Sequence, residues 1–136
     1  MIKEIILLVG LPGSGKSTLG EKLAKDSLTV FIDDFSMLTK DAKAYLDTKD
    51  FKSIETLIIA DCPFCISEVR EKAKEVLYEK FQGAAISEIF FENAPVKCLK
   101  NIKRRQLKGD TRKVENYLLE LAKIYRPEKS AIAIND

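Results

Sequence analysis

Apolar residues in this chain come as short unbroken runs that alternate with stretches spaced for helices. Residues 3–9 form an apolar run closed by glycine, too short for a helix and suited to a buried parallel strand. From Lys16 to Asp26, Leu19, Leu23 and Ala24 fall on one side of a predicted helix. Leu28 to Ile32 reads as a second strand, ending at the acidic pair Asp33-Asp34. A polar helical segment around Asp41 to Leu46 lies between Phe35 and Lys52, where it is expected to sit over the site as a small substrate-side element. Leu57 to Ala60 is a third strand, ending in Asp61. Ile66, Val69, Ala73, Val76 and Leu77 then repeat at three and four residues in a helix stopped near Gly83. Ile86 to Phe91 reads as a fourth strand, followed by a basic segment from Pro95 to Lys113. Val114, Tyr117, Leu118, Leu121, Ile124 and Tyr125 mark a further amphipathic helix that Pro127 ends, and Ala131 to Ile134 is expected as a fifth strand.

Strands alternating with helices predict an α/β fold of three layers, a mainly parallel sheet of about five strands covered on both faces. Ligands of such sheets bind at the carboxyl ends of the strands, where Gly10, Asp33 and Asp61 all fall. A chain of 136 residues, 46% hydrophobic, fits one domain over 1–136 with a core of its own.

Composition narrows the chemistry. There is no histidine, which removes the commonest general base, the Ser/His/Asp arrangement and every His-containing zinc site. Cys62, Cys65 and Cys98 are an odd count in a chain without a secretory signal, so they are expected as reduced thiols packed like small hydrophobes. They lack a fourth ligand for a structural zinc and the context of a redox motif. The apolar start is too short to span a bilayer, so no membrane is expected and the protein is read as cytoplasmic. Net charge is +2, yet Lys97, Lys100, Lys103, Arg104, Arg105, Lys108, Arg112 and Lys113 share their window with only one acid, Asp110. That window carries +7 and the remainder −5, a local field suited to a polyanionic partner such as DNA or RNA.

The most specific signal is Gly10-Leu11-Pro12-Gly13-Ser14-Gly15-Lys16-Ser17, which satisfies G-x-x-x-x-G-K-[ST] between an apolar strand and a helical pattern. Its glycines let successive N–H groups turn inward at phosphate oxygens, and the following helix adds unpaired amides and the positive end of its dipole. Leu11, Pro12, Gly13, Ser14, Gly15, Lys16, Ser17 and Thr18 are therefore the expected contacts of ATP or GTP. Lys16 is to bridge the β- and γ-phosphates and Ser17 to hold Mg²⁺. The fold class sharpens to a P-loop NTPase fold with a short basic lid over about 95–113.

Transfer to a hydroxyl also needs a carboxylate that takes its proton. Asp33 is the candidate base, with Asp34 as its alternate and an Asx-type cap for the following segment as the bland reading. Asp61 ends its strand in the manner of a Walker B acid, placed to hold magnesium through water, with a cap for the next helix as the lesser reading that can coexist with it. Arg104, Arg105 and Arg112 lie where a lid would close, and a guanidinium arriving on closure favours the transition state over the ground state. Most of the basic residues are otherwise expected to be a solvated face.

With these residues, the chain resembles the P-loop kinases related to bacteriophage polynucleotide 5′-kinases, within the broader group that includes zeta-type toxins. GLPGSGKST, the Asp-Asp pair and Ile-Ile-Ala-Asp look like that family's phosphate loop, general base and magnesium-side acid. The segment from Phe91-Glu92-Asn93 through Cys98-Leu99, Arg104-Arg105 and Arg112-Lys113-Val114 looks like a phage-type lid. The resemblance implies Asp33 as base, Lys16 and Ser17 on phosphate and metal, lid arginines near Arg104 and Arg112, and a cytoplasmic setting in a phage-infected bacterium. One departure bears on the acceptor: those kinases place an arginine soon after the acidic pair, whereas Phe35-Ser36-Met37 offers none. The expected function is thus an ATP-dependent kinase acting on a hydroxyl of a nucleic acid or nucleotide, including a modified base in DNA. A small-metabolite or nucleoside kinase is the alternative, and a P-loop ATPase or switch without an acceptor is the third reading. No Asn-Lys-x-Asp guanine signature is present, which argues against a GTP switch.

Overall fold

A computed structural model describes residues 1–33, 35 and 41–135. Four strands, β1 (Glu4–Val9), β2 (Thr29–Asp33), β3 (Thr56–Ala60) and β4 (Ala85–Phe90), pair in the order β2-β3-β1-β4, all parallel. Between and after them run α1 (Lys16–Leu23), α2 (Ala42–Asp47), α3 (Ser67–Lys80), α4 (Pro95–Leu107) and α5 (Glu115–Ile124).

The two-residue period of the strands divides the core. Ile5, Leu7 and Val9 of β1 join Leu57 and Ile59 of β3 in the larger apolar cluster, while Leu8, Ile58 and Ala60 form a smaller one on the other face. Leu19 of α1 packs against the smaller cluster, and Ala73 and Leu77 of α3 belong to the larger. Burial on both faces is why these strands read as continuous apolar runs rather than alternating ones.

Helix α1 lies close to the sheet because residue 20 is glycine. A Cβ there would stand 2.4 Å from the Phe31 ring. At the far side, the Tyr125 hydroxyl donates to the carbonyls of Val9 and Phe91, and the Asn93 amide donates to Ala122 O at 2.8 Å and Tyr125 O at 3.2 Å. Those bonds satisfy carbonyls at the end of α5 and fasten that helix to the ends of β1 and β4.

The expected fifth strand is reduced to one parallel bridge, Phe91 to Ile132, with Ile132 N donating to Phe90 O and Glu92 N to Ile132 O, both at 2.8 Å. The apolar run Ala131–Ile134 is too brief to pair further before its polar end. The segment expected as a lid divides in two. Helix α4 packs into the core through Cys98 and Ile102 and borders the site with Ile102 and Arg105, while Asp110, Arg112 and Val114 of the following loop line it too.

Replacing Gly20 by alanine is expected to lower unfolding stability by about 1–3 kcal/mol, the scale of core overpacking, and Phe31→Leu in the same chain should recover part of it. Chemical denaturation of the single and double variants checks this; additive losses would contradict the contact.

Candidate phosphate and metal site

Parallel strands present their carboxyl ends at one edge, and the register brings the candidate residues together there. Asp33 is the last residue of β2, opposite Ala60, and Asp61 directly follows β3. A buried phenylalanine lies just downstream of each acid. Phe35 N donates to Ala60 O at 3.3 Å, and its ring meets Tyr45 edge-on at 5.5 Å and Phe64 at 6.3 Å. Phe64 sits in a 3-10 turn, Cys62–Cys65, where Pro63 fixes the first turn. The Asp61 side chain makes no cap bond to that turn, so the cap reading of Asp61 is not the one observed.

The phosphate loop joins β1 to α1. Gly15 caps α1 with φ 103°, and no side chain caps the helix, which leaves its first amides facing the cavity. Gly13 has φ +83°, and a Cβ there would stand 2.6 Å from the Cys98 carbonyl, so both its conformation and its contact with α4 require glycine. Lys16 is 7% exposed, and its ammonium donates to Gly10 O at 2.7 Å, Leu11 O at 2.9 Å and Ser14 Oγ at 3.4 Å. A buried ammonium is tolerated only with such partners. Ser17 Oγ donates to Asp33 Oδ2 at 2.6 Å. This hydroxyl-carboxylate pair, with Asp61 (3% exposed) on the same cavity, is a set of hard oxygen donors that fits magnesium.

A cavity of about 590 Å³ opens over the loop, lined by residues 12–17, Asp33, Asp61, Cys62, Pro63, Ile102, Arg105, Asp110, Arg112, Val114 and Tyr117. A second, of about 550 Å³, lies on the other side of Ser14 and Gly15, against Thr18, Lys22, Asn101, Arg104, Lys108, Ile132, Ala133 and Asn135. Arg105 borders both. Of the three candidate arginines, Arg105 and Arg112 thus reach the cavity that holds Lys16, Ser17, Asp33 and Asp61, and Arg104 reaches the other. Leu11 is fully buried and lines neither cavity, its carbonyl accepting from Lys16 and from Ser14 N, while Thr18 borders the second cavity. Asp34 lies outside the described residues.

Arg112 is held by Asp110 through its Nε and Nη2 and its own backbone amide. The guanidinium, first by its side-chain bond and then by the backbone N–H, pulls the Asp110 carboxyl down to about 2. Asp110 in turn raises Arg112, with Asp33 a further negative neighbour. Burial pushes the Cys65 thiol up to about 12 and the Cys98 thiol up to about 11. Both are free and buried, in keeping with packing rather than chemistry.

Sequence reasoning missed Asn101, Tyr117 and the 132–135 segment. Helical phase carried part of the signal: Cys98, Ile102 and Arg105 stand at i, i+4 and i+7 on one face, whereas Asn101 and Arg104 share the neighbouring one.

The family model described as 50S ribosome-binding GTPase matches residues 5–135. The chain belongs to this family of P-loop nucleotide-binding proteins. It is 30% identical over 121 residues to an uncharacterized protein of Acanthamoeba polyphaga mimivirus, covering 83% of this chain and 78% of that protein. It is also 30% identical over 101 residues to a shikimate kinase of Clostridium botulinum, covering 74% of this chain but 56% of that enzyme. Among solved structures, a gluconokinase from Sinorhizobium meliloti superposes with a TM-score of 0.56 at 18% identity, covering 96% of this chain and 81% of that one, a likeness of fold. A family described by GTPases keeps GTP beside ATP for this cradle, although the chain has no Asn-Lys-x-Asp. No described helix is long and apolar enough to cross a membrane.

Two measurements check the electrostatics. Because the Asp110 pKa is lowered in the folded state, its pairing with Arg112 should be complete above the ordinary value of 3.8 and fade as pH falls toward about 2. A carboxyl titration by NMR with a midpoint near the ordinary value would contradict the pair. Iodoacetamide at pH 8 should leave Cys65 and Cys98 unmodified in native protein and label them in denaturant, read by mass spectrometry.

Proposed function

We propose that this chain is a P-loop kinase that transfers the γ-phosphoryl group of ATP or GTP to a hydroxyl of a small acceptor held beside Tyr117. The observation that carries this reading is the pair of cavities meeting across the phosphate loop. A switch or ATPase needs room for one nucleotide, whereas a kinase needs a nucleoside side and an acceptor side. The second cavity, beside Thr18 and Ile132–Asn135, suits the nucleoside, and the first extends past the acids to Val114 and Tyr117. Each has the size of a small-molecule site. The relatives named shikimate kinase and gluconokinase support a kinase over a switch.

In this reading the amides at the start of α1 take phosphate oxygens, and Lys16 exchanges its contacts with Gly10 and Leu11 for the β- and γ-phosphates. Ser17, with Asp61 acting through water, would hold magnesium, which when bound would neutralise charge on the phosphate oxygens. Asp33 keeps one oxygen on the Ser17 hydroxyl and accepts the proton of the acceptor hydroxyl. Arg105 and Arg112 stabilise charge spreading over the transferred group, worth most where water is excluded. Arg104 is assigned to the nucleoside side. Residues 1–136 act as one kinase domain, with 108–114 as the part that closes.

A nucleic-acid acceptor is the second reading, favoured by the exposed cations Lys100, Lys103, Arg104, Lys108 and Lys113 along α4 and the following loop. It lacks the acceptor-gripping arginine near Phe35 that the resemblance would require.

Transfer from γ-labelled ATP and GTP to a panel of sugars, hydroxy acids, nucleosides, oligonucleotides and modified duplexes decides between these. Label in a small acceptor is expected; label confined to polynucleotides would move the conclusion to the second reading, and free phosphate alone would remove the kinase. Lys16→Ala should weaken nucleotide binding and turnover together. Asp33→Asn should keep nucleotide affinity within a few-fold and slow transfer by roughly a hundredfold, as for loss of a general base.

A further inference from the structure

A side chain from outside the phosphate loop is bonded to it. Asn101 of α4 donates from Nδ2 to Gly13 O at 2.9 Å and to Asn135 O at 2.9 Å, while its Oδ1 accepts from Arg104 Nη1 at 3.0 Å. The first bond crosses 88 positions of sequence and the second 34, so it joins the phosphate loop to the C-terminal wall of the second cavity. That wall is fixed independently, by Ile134 N donating to Glu92 Oε1 at 2.9 Å and by the Ile132 bridge. The Ile134 amide first, then Lys97, holds the Glu92 carboxyl below the usual range.

The Gly13 carbonyl is a consequential atom to hold. A peptide unit is planar, so the direction of Gly13 C=O sets the direction of the Ser14 N–H on the same plane. Ser14 N donates back to Leu11 O at 3.1 Å, closing the turn that leads into the Gly15 cap. Glycine at φ +83° has little intrinsic preference opposing rotation of that plane. Packing of Gly13 on the Cys98 carbonyl limits its position, and the peptide is oriented from both ends, by the Ser14 N–H on Leu11 O and by the Asn101 donor on Gly13 O.

We infer that Asn101 is a positioning residue for the nucleotide: its amide braces the Gly13–Ser14 turn, whose own N–H is bonded to Leu11 O, so that the free amides following it at the start of α1 are held in place for phosphate, and it locks the loop to the wall that faces the nucleoside. This rests on the reading of the loop as a phosphate cradle. Asn101 touches no reacting atom in this account. It acts through the loop, so its removal should weaken even a ligand that has phosphates and no base.

Calorimetry with Mg·tripolyphosphate, Mg·ATP and Mg·GTP on the full chain tests this, alongside thermal melting. Asn101→Ala should fold, because Cys98 and Ile102 still anchor α4, and should bind Mg·tripolyphosphate about tenfold more weakly, the scale of two lost hydrogen bonds. Asn101→Asp keeps the volume and the contact to Arg104 but turns a carboxylate on two carbonyls, so its loss should be at least as large. Folded variants that melt lower yet bind tripolyphosphate within twofold of the parent would overturn the inference and leave Asn101 a structural tie. Failure of the parent chain to bind any of the three ligands would instead remove the cradle itself. Because only binding is read, absence of phosphoryl transfer would leave the Asn101 result standing.

Discussion

Polyphosphate recognition by backbone amides demands that a flexible, glycine-rich turn hold one shape before its ligand arrives, and the rest of this fold serves that demand. Gly13 and Gly15 supply the backbone freedom, and the structure then takes most of it away. Packing of Gly13 on the Cys98 carbonyl, the Asn101 amide on Gly13 O, and the buried Lys16 ammonium on Gly10 O and Leu11 O restrain the same few peptides from three sides. The parallel sheet puts Asp33 and Asp61 within reach of that turn because strand register leaves both acids at the same edge.

How much of this was legible follows from the range of the interactions involved. The phosphate loop could be read directly, since each residue type is required by local geometry and the flanking strand and helix are local too. Asp33 and Asp61 were legible as the polar stops of apolar runs, but not the 2.6 Å bond from Ser17 to Asp33, which depends on the order of the strands. Asn101 was invisible because its partners are far along the chain and asparagine on a helix ordinarily means a solvated face. Ala131–Ile134 looked like a strand by composition, yet pairing needs a neighbour with free ladder groups along its length, and only Ile132 bridges to Phe91.

The basic segment illustrates how charge counts mislead about roles. Eight cations in one window suggested a lid and a polyanionic partner, and helical geometry gives several of them separate local roles. Arg105 borders both cavities, Arg104 is bonded to Asn101, Lys97 pairs with Glu92 at 3.1 Å and Arg112 with Asp110. A helix turns about 100° per residue, so of the adjacent arginines Arg104 borders one cavity and Arg105 both. The chain matches both a family described by ribosome-binding GTPases and a relative named shikimate kinase, so function has to be argued from the cavities rather than from the fold.

The central claim is that main-chain amides at the start of α1 receive a magnesium-bound polyphosphate. Backbone amide NMR during titration with Mg·ATP or Mg·GTP tests it directly. The account predicts saturable shifts concentrated at Gly13, Gly15, Lys16 and Ser17 with at least one of the two nucleotides. Saturation that leaves those amides unmoved, or no response to either nucleotide, would contradict it.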